Sequence, residues 1–181
     1  MMKKLVFSGF GGQGVLTLGQ IVATIAMNQG NHVTWMPSYG VEMRGGTANC
    51  SVILSDRIIG NPIVHDGIDI LCALNMPSIT KFLPRVKRDG LVIVNSSIVT
   101  EPLPRDDVTI VAIDATNIAT GMGNPKVANM VMLAGFLKAT DLFSLAEVEH
   151  VLEEKFREKN PAIFQLNIAA IKNSMQELVS L

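Results

Sequence analysis

The six residues GFGGQG, Gly9 to Gly14, carry four glycines and follow directly on the apolar run Leu5-Val6-Phe7. Downstream, apolar residues recur at Val15, Leu18, Val22, Ile25 and Ala26, the spacing of a helix face laid on a sheet, and Gly30 stands where a C-terminal cap belongs. A strand, a glycine-rich turn and a helix in that order suit the start of an α/β fold, with Lys3 to Ser8 read as a buried parallel strand. The same geometry gathers backbone N–H groups and the positive end of a helix dipole at one point, which suits an anion such as phosphate. A glycine turn that serves only to pack the helix close to the sheet is the alternative reading of the same residues.

Two familiar nucleotide signatures are incomplete here. Gly9, Gly11 and Gly14 match GxGxxG, but about 20 residues on, where a ribose-binding acid belongs, stand Thr34, Trp35 and Met36. Gly9 and Gly14 also match the spacing of a P-loop, yet Val15-Leu16 replaces the lysine and hydroxyl residue that would meet the terminal phosphates and magnesium.

The remaining pattern alternates strands and helices. Strands are expected at His32 to Met36, Asn49 to Leu54, Ile70 to Leu74, Leu91 to Val94 and Val108 to Ile113. Ser55-Asp56-Arg57 is read as a turn that pairs the Asn49 strand with Ile58-Ile59 in a hairpin inserted in the sheet. Helices are expected around Ile79–Val86, over Lys126–Ala139 behind the cap Asn124-Pro125, after the capping box Ser144 to Glu147, and after Asn160-Pro161. The Lys126–Ala139 run is apolar on nearly every face, so it is either a central core helix or one covered by another chain. The last helix carries a stripe of Phe164, Ile168, Ile171, Met175 and Leu178, read as an exposed surface for another element. With 181 residues, 48% hydrophobic and 17% charged, the chain suits one core over 1–181. The fold class expected is α/β: a single-domain Rossmann-like three-layer sandwich with a mostly parallel sheet, an inserted hairpin and C-terminal helices.

Several functions are disfavoured. A net charge of −1 without a basic cluster lacks the electrostatic footprint of a nucleic-acid binder. Cys50 and Cys72 are isolated in apolar runs and read as buried thiols of a reducing compartment. Lys3-Lys4 before an apolar run resembles a secretory signal, but glycines and Gln13 interrupt it, and no run reaches the roughly 20 apolar residues of a membrane span. A cytoplasmic protein is expected. His32, His65 and His150 fall on a strand start, a loop and a helix, and make no catalytic set.

A second loop adds chemistry to the first. Tyr39-Gly40-Val41-Glu42-Met43-Arg44-Gly45-Gly46 follows the second strand, and strand ends on one side of a doubly wound sheet face a common crevice. If the first two strands are adjacent and parallel, the loop meets the glycine turn and offers Arg44 to a phosphate and Tyr39 to an aromatic base. Glu42 and Arg44 paired as surface charges is the plainer alternative.

GFGGQGV, PSYGVEMRGGTANCSVILSD, IGNPIV at Ile59–Val64 and NPKVANMVMLAGFL at Asn124–Leu137 together resemble the gamma subunit of the 2-oxoacid:ferredoxin oxidoreductases, over most of the chain. The resemblance implies a cytoplasmic enzyme complex that decarboxylates a 2-oxoacid, passes the acyl group to coenzyme A and reduces ferredoxin. It implies alpha, beta and delta (ferredoxin-like) partner subunits, and leaves room for a homodimer of the isolated chain. This sequence has no GDG motif and two separated cysteines, so thiamine diphosphate, magnesium and iron–sulfur clusters are expected on those partners, with this chain inactive alone. The role left to it is assembly and contact with coenzyme A, at Gly11, Gly12, Gln13 and Gly14 together with Tyr39, Glu42, Arg44 and Gly45. Val41 stands where the family often has proline. The Tyr-Gly-Val-Glu-Met-Arg-Gly loop looks more like the 2-oxoglutarate and branched-chain branches than the pyruvate branch, which points to 2-oxoglutarate. A scaffold subunit with no ligand, and an independent nucleotide-dependent oxidoreductase, stay as alternatives.

Overall fold

The computed structural model describes residues 1–40 and 46–178, the Tyr39 side chain excepted. Six strands form one sheet in the order β2-β3-β1-β4-β5-β6. They are β1 (Met2–Phe10), β2 (His32–Tyr39), β3 (Thr47–Ser55), β4 (Ile68–Ala73), β5 (Val86–Asn95) and β6 (Thr109–Ile113). β1, β4, β5 and β6 run parallel, and β3 lies antiparallel to both β1 and β2. The helices are α1 (Val15–Asn28), α2 (Met76–Phe82), α3 (Ala115–Gly121), α4 (Ala128–Thr140), α5 (Leu145–Leu152) and α6 (Pro161–Glu177). Among the described residues no helix is long and apolar enough to cross a membrane.

The unbroken apolar run in β1 follows from burial on both faces. Leu5 and Phe7 point into the larger cluster with α1, α4, α5 and α6, while Val6 points into the smaller one with α2. Phe7 meets Phe136 of α4 at a ring-centroid distance of 5.7 Å, and full burial of each ring contributes about 1.5–3 kcal/mol. Helices thus cover both faces, the three-layer α/β arrangement expected from the alternating pattern.

Two expectations about the hairpin are corrected. Ile58-Ile59 forms no strand, and Ile58 is 83% exposed. The physical reason is that both edges of β3 are already filled, by β1 from Met2↔Ser55 to Phe10↔Thr47 and by β2 from His32↔Ser55 to Tyr39↔Ala48. The inserted hairpin is β2–β3. For the same reason β1 and β2 are not adjacent: they point the same way, but β3 lies between them.

The apolar stripe of α6 is corrected too. Phe164, Ile168, Met175 and Leu178 pack as half-buried side chains against the main core, Ile171 is fully buried, and the stripe therefore presents no open face. The question left open for the Lys126–Ala139 run resolves inside the chain. Every residue from Met130 to Leu137 is buried under α1, α3, α6 and the sheet, so α4 is a central core helix. A 3-10 turn, Pro125–Val127, precedes it, with the Asn124 carboxamide accepting from the Lys126 N–H at 3.0 Å.

α3 was not expected from the sequence. The capping box of α5 forms as expected: the Glu147 N–H donates to Ser144 Oγ at 3.3 Å and the Ser144 N–H to Glu147 Oε2 at 2.7 Å. The Ser144 N–H, and after it the Ser144 hydroxyl and the Gln29 side chain, donate to the Glu147 carboxyl and hold it below its ordinary value.

Candidate functional site

α1 runs from β1 outward to β2 on one face, while α2 leads from β4 to β5 on the other, so the connections diverge between β1 and β4. In doubly wound sheets the crevice beyond the carboxyl ends of the strands at such a point is where ligands bind. The glycine turn occupies that place.

The turn is held from several sides. The Gly11 N–H donates to the Gly46 carbonyl at 2.8 Å and the Gln13 N–H to the Phe10 carbonyl at 3.1 Å. Gln13 folds its side chain back, so that Oε1 accepts from the Phe10 N–H at 2.6 Å and from Asn75 Nδ2 at 3.3 Å. Asn75, capping α2, accepts from the N–H and hydroxyl of Ser78, and the Ser8 hydroxyl donates to Ser78 Oγ at 2.8 Å. This buried relay fixes the end of β1 to the end of β4. Gly14, at φ 76°, is the N-cap of α1, and a Cβ there would lie 2.4 Å from Asn129 Nδ2 at the start of α4. Left-handed backbone and close packing therefore both require glycine at that position.

Of the four predicted turn residues, Gly11 and Gln13 spend their amides inside the protein. Gly12, at φ 100° and exposed, and Gly14 have N–H groups with no backbone acceptor among the described residues, and the first turn of α1 adds the unpaired donors of any helix start. Tyr39 closes β2 opposite Ala48. Glu42, Arg44 and Gly45 lie outside the described residues. The second loop nevertheless leads back to the glycine turn, because β3 begins beside the end of β1 and places Gly46 on the Gly11 N–H.

Two cavities flank Gly12. One, of about 470 Å³, is bounded by Phe10, Gly11, Gly14, Val15, Leu16 and Ala48 as well as Gly12. The other, of about 270 Å³, lies between the turn and the ends of β4 and β5, and includes Asn95, Thr116, Lys126 and Asn129 in its lining. Sequence reasoning missed those four residues. Asn95, a polar residue ending the apolar run Leu91 to Val94 at the carboxyl edge of the sheet, was the signal available.

The two cysteines are core groups. Burial pushes both the Cys50 and the Cys72 thiol up to about 12, so neither offers a thiolate. Among the described residues no group of three or more His, Cys, Asp or Glu side chains is placed to hold a metal ion.

Comparison with known proteins agrees with this arrangement. Residues 4–177 match the family model described as pyruvate ferredoxin/flavodoxin oxidoreductase. Ketoisovalerate oxidoreductase subunit VorA of Methanothermobacter thermautotrophicus is 39% identical over 155 residues, which is 86% of this chain and 30% of the relative. The VorA relative from Methanothermobacter marburgensis is likewise matched over 30% of its length. 2-Oxoglutarate synthase subunit KorC of Methanocaldococcus jannaschii is 35% identical over 84% of this chain and 82% of its own. Among solved structures, the gamma subunit of the keto/oxoacid ferredoxin oxidoreductase of Geobacter sulfurreducens superposes with a TM-score of 0.81 at 29% identity, covering 99% of both chains. Since the family match runs from the first strand to the last helix, and so takes in the glycine turn and its surroundings, this chain belongs to the pyruvate ferredoxin/flavodoxin oxidoreductase family.

Proposed function

We propose that this chain is the gamma-type subunit of a cytoplasmic 2-oxoacid:ferredoxin oxidoreductase, contributing assembly surface and a coenzyme A contact to a complex whose chemistry resides on other subunits. The observation that carries the coenzyme A contact is the glycine turn itself: among the described residues the amides of Gly12 and Gly14 meet no acceptor at the start of α1, beside a cavity of about 470 Å³. Amides at a helix start are matched to phosphate, and coenzyme A is the phosphate-bearing reactant of the proposed reaction. Tyr39, Glu42, Arg44 and Gly45 complete the proposed contact from the second loop.

The residues present do not fit the other groups of such a complex. Buried thiols at about 12 are unsuited to iron–sulfur ligation, and the sequence lacks the GDG motif for thiamine diphosphate. Those groups, with magnesium, are assigned to alpha, beta and ferredoxin-like delta partners. The substrate is assigned as a 2-oxoacid, with 2-oxoglutarate first and a branched-chain oxoacid second. The form of the second loop supports these two over pyruvate, and the chain resembles both a ketoisovalerate VorA subunit (39% identical) and a 2-oxoglutarate KorC subunit (35%).

The test is anaerobic affinity purification of the tagged chain from its native host, followed by viologen reduction with coenzyme A and each of 2-oxoglutarate, 2-oxoisovalerate and pyruvate. Co-purified partners with a GDG motif and ferredoxin-type cysteines, and activity on one oxoacid, are expected. A chain recovered alone and without activity would sink the subunit reading. In the complex, Arg44→Ala is expected to weaken coenzyme A binding, and an unchanged affinity removes Arg44 from the contact.

A further inference from the structure

We infer that Asp66-Gly67 is a modification site, where the main chain is slowly rerouted through the aspartate side chain as isoaspartate. The inference draws on none of the residues assigned to coenzyme A and is independent of the proposed function.

The sequence holds two Asp-Gly pairs, Asp66-Gly67 and Asp89-Gly90, and no Asn-Gly pair. Such pairs are open to this reaction because glycine has no Cβ to keep its nitrogen away from the γ-carbon of the residue before it. The Gly67 nitrogen gives up its proton and attacks the Asp66 γ-carbon. The new C–N bond closes a succinimide ring as the carboxyl oxygen leaves as water. Water then adds to one of the two ring carbonyls and breaks its C–N bond. Opening at the γ-carbon restores aspartate, whereas opening at the main-chain carbonyl leaves isoaspartate and a free α-carboxylate. One water leaves and one enters, and nothing is oxidised or reduced.

The fold separates the two pairs. Asp66-Gly67 lies in the irregular segment just before β4, and the Asp66 side chain is 84% exposed. Its carboxylate meets Arg85 Nε only at 3.8 Å, an ion pair open to water. Among the described residues the Gly67 N–H has no backbone acceptor, so attack by its nitrogen breaks no such bond. Asp89-Gly90 sits inside β5, where the Asp89 N–H donates to the Asp107 carbonyl at 2.8 Å and Gly90 is buried. A Cβ on Gly90 would lie 2.6 Å from Val86 Cγ1 and 2.8 Å from the Lys87 carbonyl oxygen, so that peptide is packed on its side-chain side. Reaction there requires β5 to part from its neighbours, and only the opened fraction reacts.

Isoaspartate adds one methylene to the main chain between Val64 and Ile68, which are both buried. The Arg85 guanidinium donates to the Val64 and His65 carbonyls, and Lys4 Nζ donates to the Asp66 carbonyl at 3.3 Å. A segment pinned at both ends has no slack for the added length, so the modification strains the entry to β4.

The experiment ages the full chain at neutral pH and physiological temperature, native and in urea. Isoaspartate is counted by enzymatic methyl transfer from S-adenosylmethionine to the new α-carboxylate, and placed by peptide mapping with electron-transfer fragmentation. In the native chain at least about tenfold more is expected at Asp66 than at Asp89, and in urea the two should react alike. Asp66→Glu, which keeps the charge but enlarges the ring to be closed, should lose the signal; Asp66→Asn should reach the same succinimide faster, with release of ammonia. An Asp66 that stays intact in the native chain, or an Asp89 that matches it there, overturns the assignment. Ageing should lower the melting temperature of the parent and leave that of Asp66→Glu unchanged, and an isoaspartate-bearing chain that melts like the fresh one overturns the strain on β4.

Discussion

Gly19 lies in the middle of α1, where alanine is ordinarily preferred by about 1 kcal/mol. The structure predicts that Gly19→Ala nevertheless destabilises the protein. A Cβ there would sit 2.2 Å from Cys50 Sγ, 3.3 Å from Trp35 Nε1 and 3.4 Å from Phe7 Cδ2. Favourable carbon contacts lie at about 3.5–4.0 Å, so the first overlap exceeds an ångström and cannot be absorbed by small shifts. Cys50 has one rotatable side-chain bond, is fully buried in the middle of the sheet, and its thiol donates to the Val15 carbonyl at 3.5 Å. Turning it away sacrifices that bond and drives sulfur into neighbouring side chains. Overpacking of this kind costs about 1–3 kcal/mol, and overlap this deep belongs at the upper end. After the helix-propensity gain the net loss is about 2 kcal/mol, or about 4–8 °C in Tm for a chain of this size. Urea unfolding of the parent, Gly19→Ala, Cys50→Ala and the double variant measures it. Removing the sulfur gives the new methyl its space, so the double variant should be more stable than the sum of the single changes by about 2 kcal/mol. A Gly19→Ala protein as stable as the parent, or a cycle additive within about 0.5 kcal/mol, would refute close approach of α1 to β3 as the reason for glycine.

Gly14→Ala combines a left-handed backbone with a clash on Asn129, and should lower stability by about 1–3 kcal/mol in the same urea assay; a neutral change contradicts the packing of α1 on α4. Cys50 and Cys72, each at about 12, should not react with an aromatic disulfide reagent at pH 8 in the native protein, and two thiols per chain should react in denaturant. Glu147, whose folded value is depressed by the Ser144 N–H first and then by the Ser144 hydroxyl and Gln29, adds stability above its unfolded value of about 4.3 and loses it as pH falls through the lower folded value. Glu147→Gln should therefore melt below the parent at pH 7 and approach it near pH 3, and parallel melting curves across that range would exclude the linkage.

The beginning of the fold was legible because its signals are consecutive: apolar run, glycines and helical spacing lie in one stretch of 28 residues that ends with α1. The placement of β3 was not legible, since its alternation suits either a β1 or an Ile58-Ile59 partner, and the choice depends on which edges other strands fill. α3 escaped for the opposite reason. It is seven residues long, carries Thr116, Asn117 and Thr120, and gains its place from Ala115 and Ala119 packing under α4 rather than from propensity. Asn95 was passed over because burial, not residue type, makes a strand-ending asparagine informative. The stripe on α6 was readable as apolar, but periodicity does not say whose surface covers it.

The glycine turn resolves into residues with different duties, and this bears on the two readings of it that the sequence left open. Gly14 is needed by the packing: its Cβ would collide with Asn129, and its left-handed backbone starts α1. Gly11 and Gln13 are needed by the wiring, since their N–H groups tie the turn to Gly46 and Phe10. Gly12 has neither duty. Among the described residues nothing lies within 4 Å of where its Cβ would be, and the demand they place on it is a φ of 100°. It also lines both cavities. A residue whose side-chain space is open to solvent, whose backbone is held in a conformation that only glycine adopts cheaply, and whose amide has no acceptor among the described residues contributes little to packing. Packing and wiring thus account for Gly11, Gln13 and the side-chain space of Gly14, while the anion contact proposed above draws on the amides of Gly12 and Gly14, of which Gly12 is the one with no packing duty among the described residues.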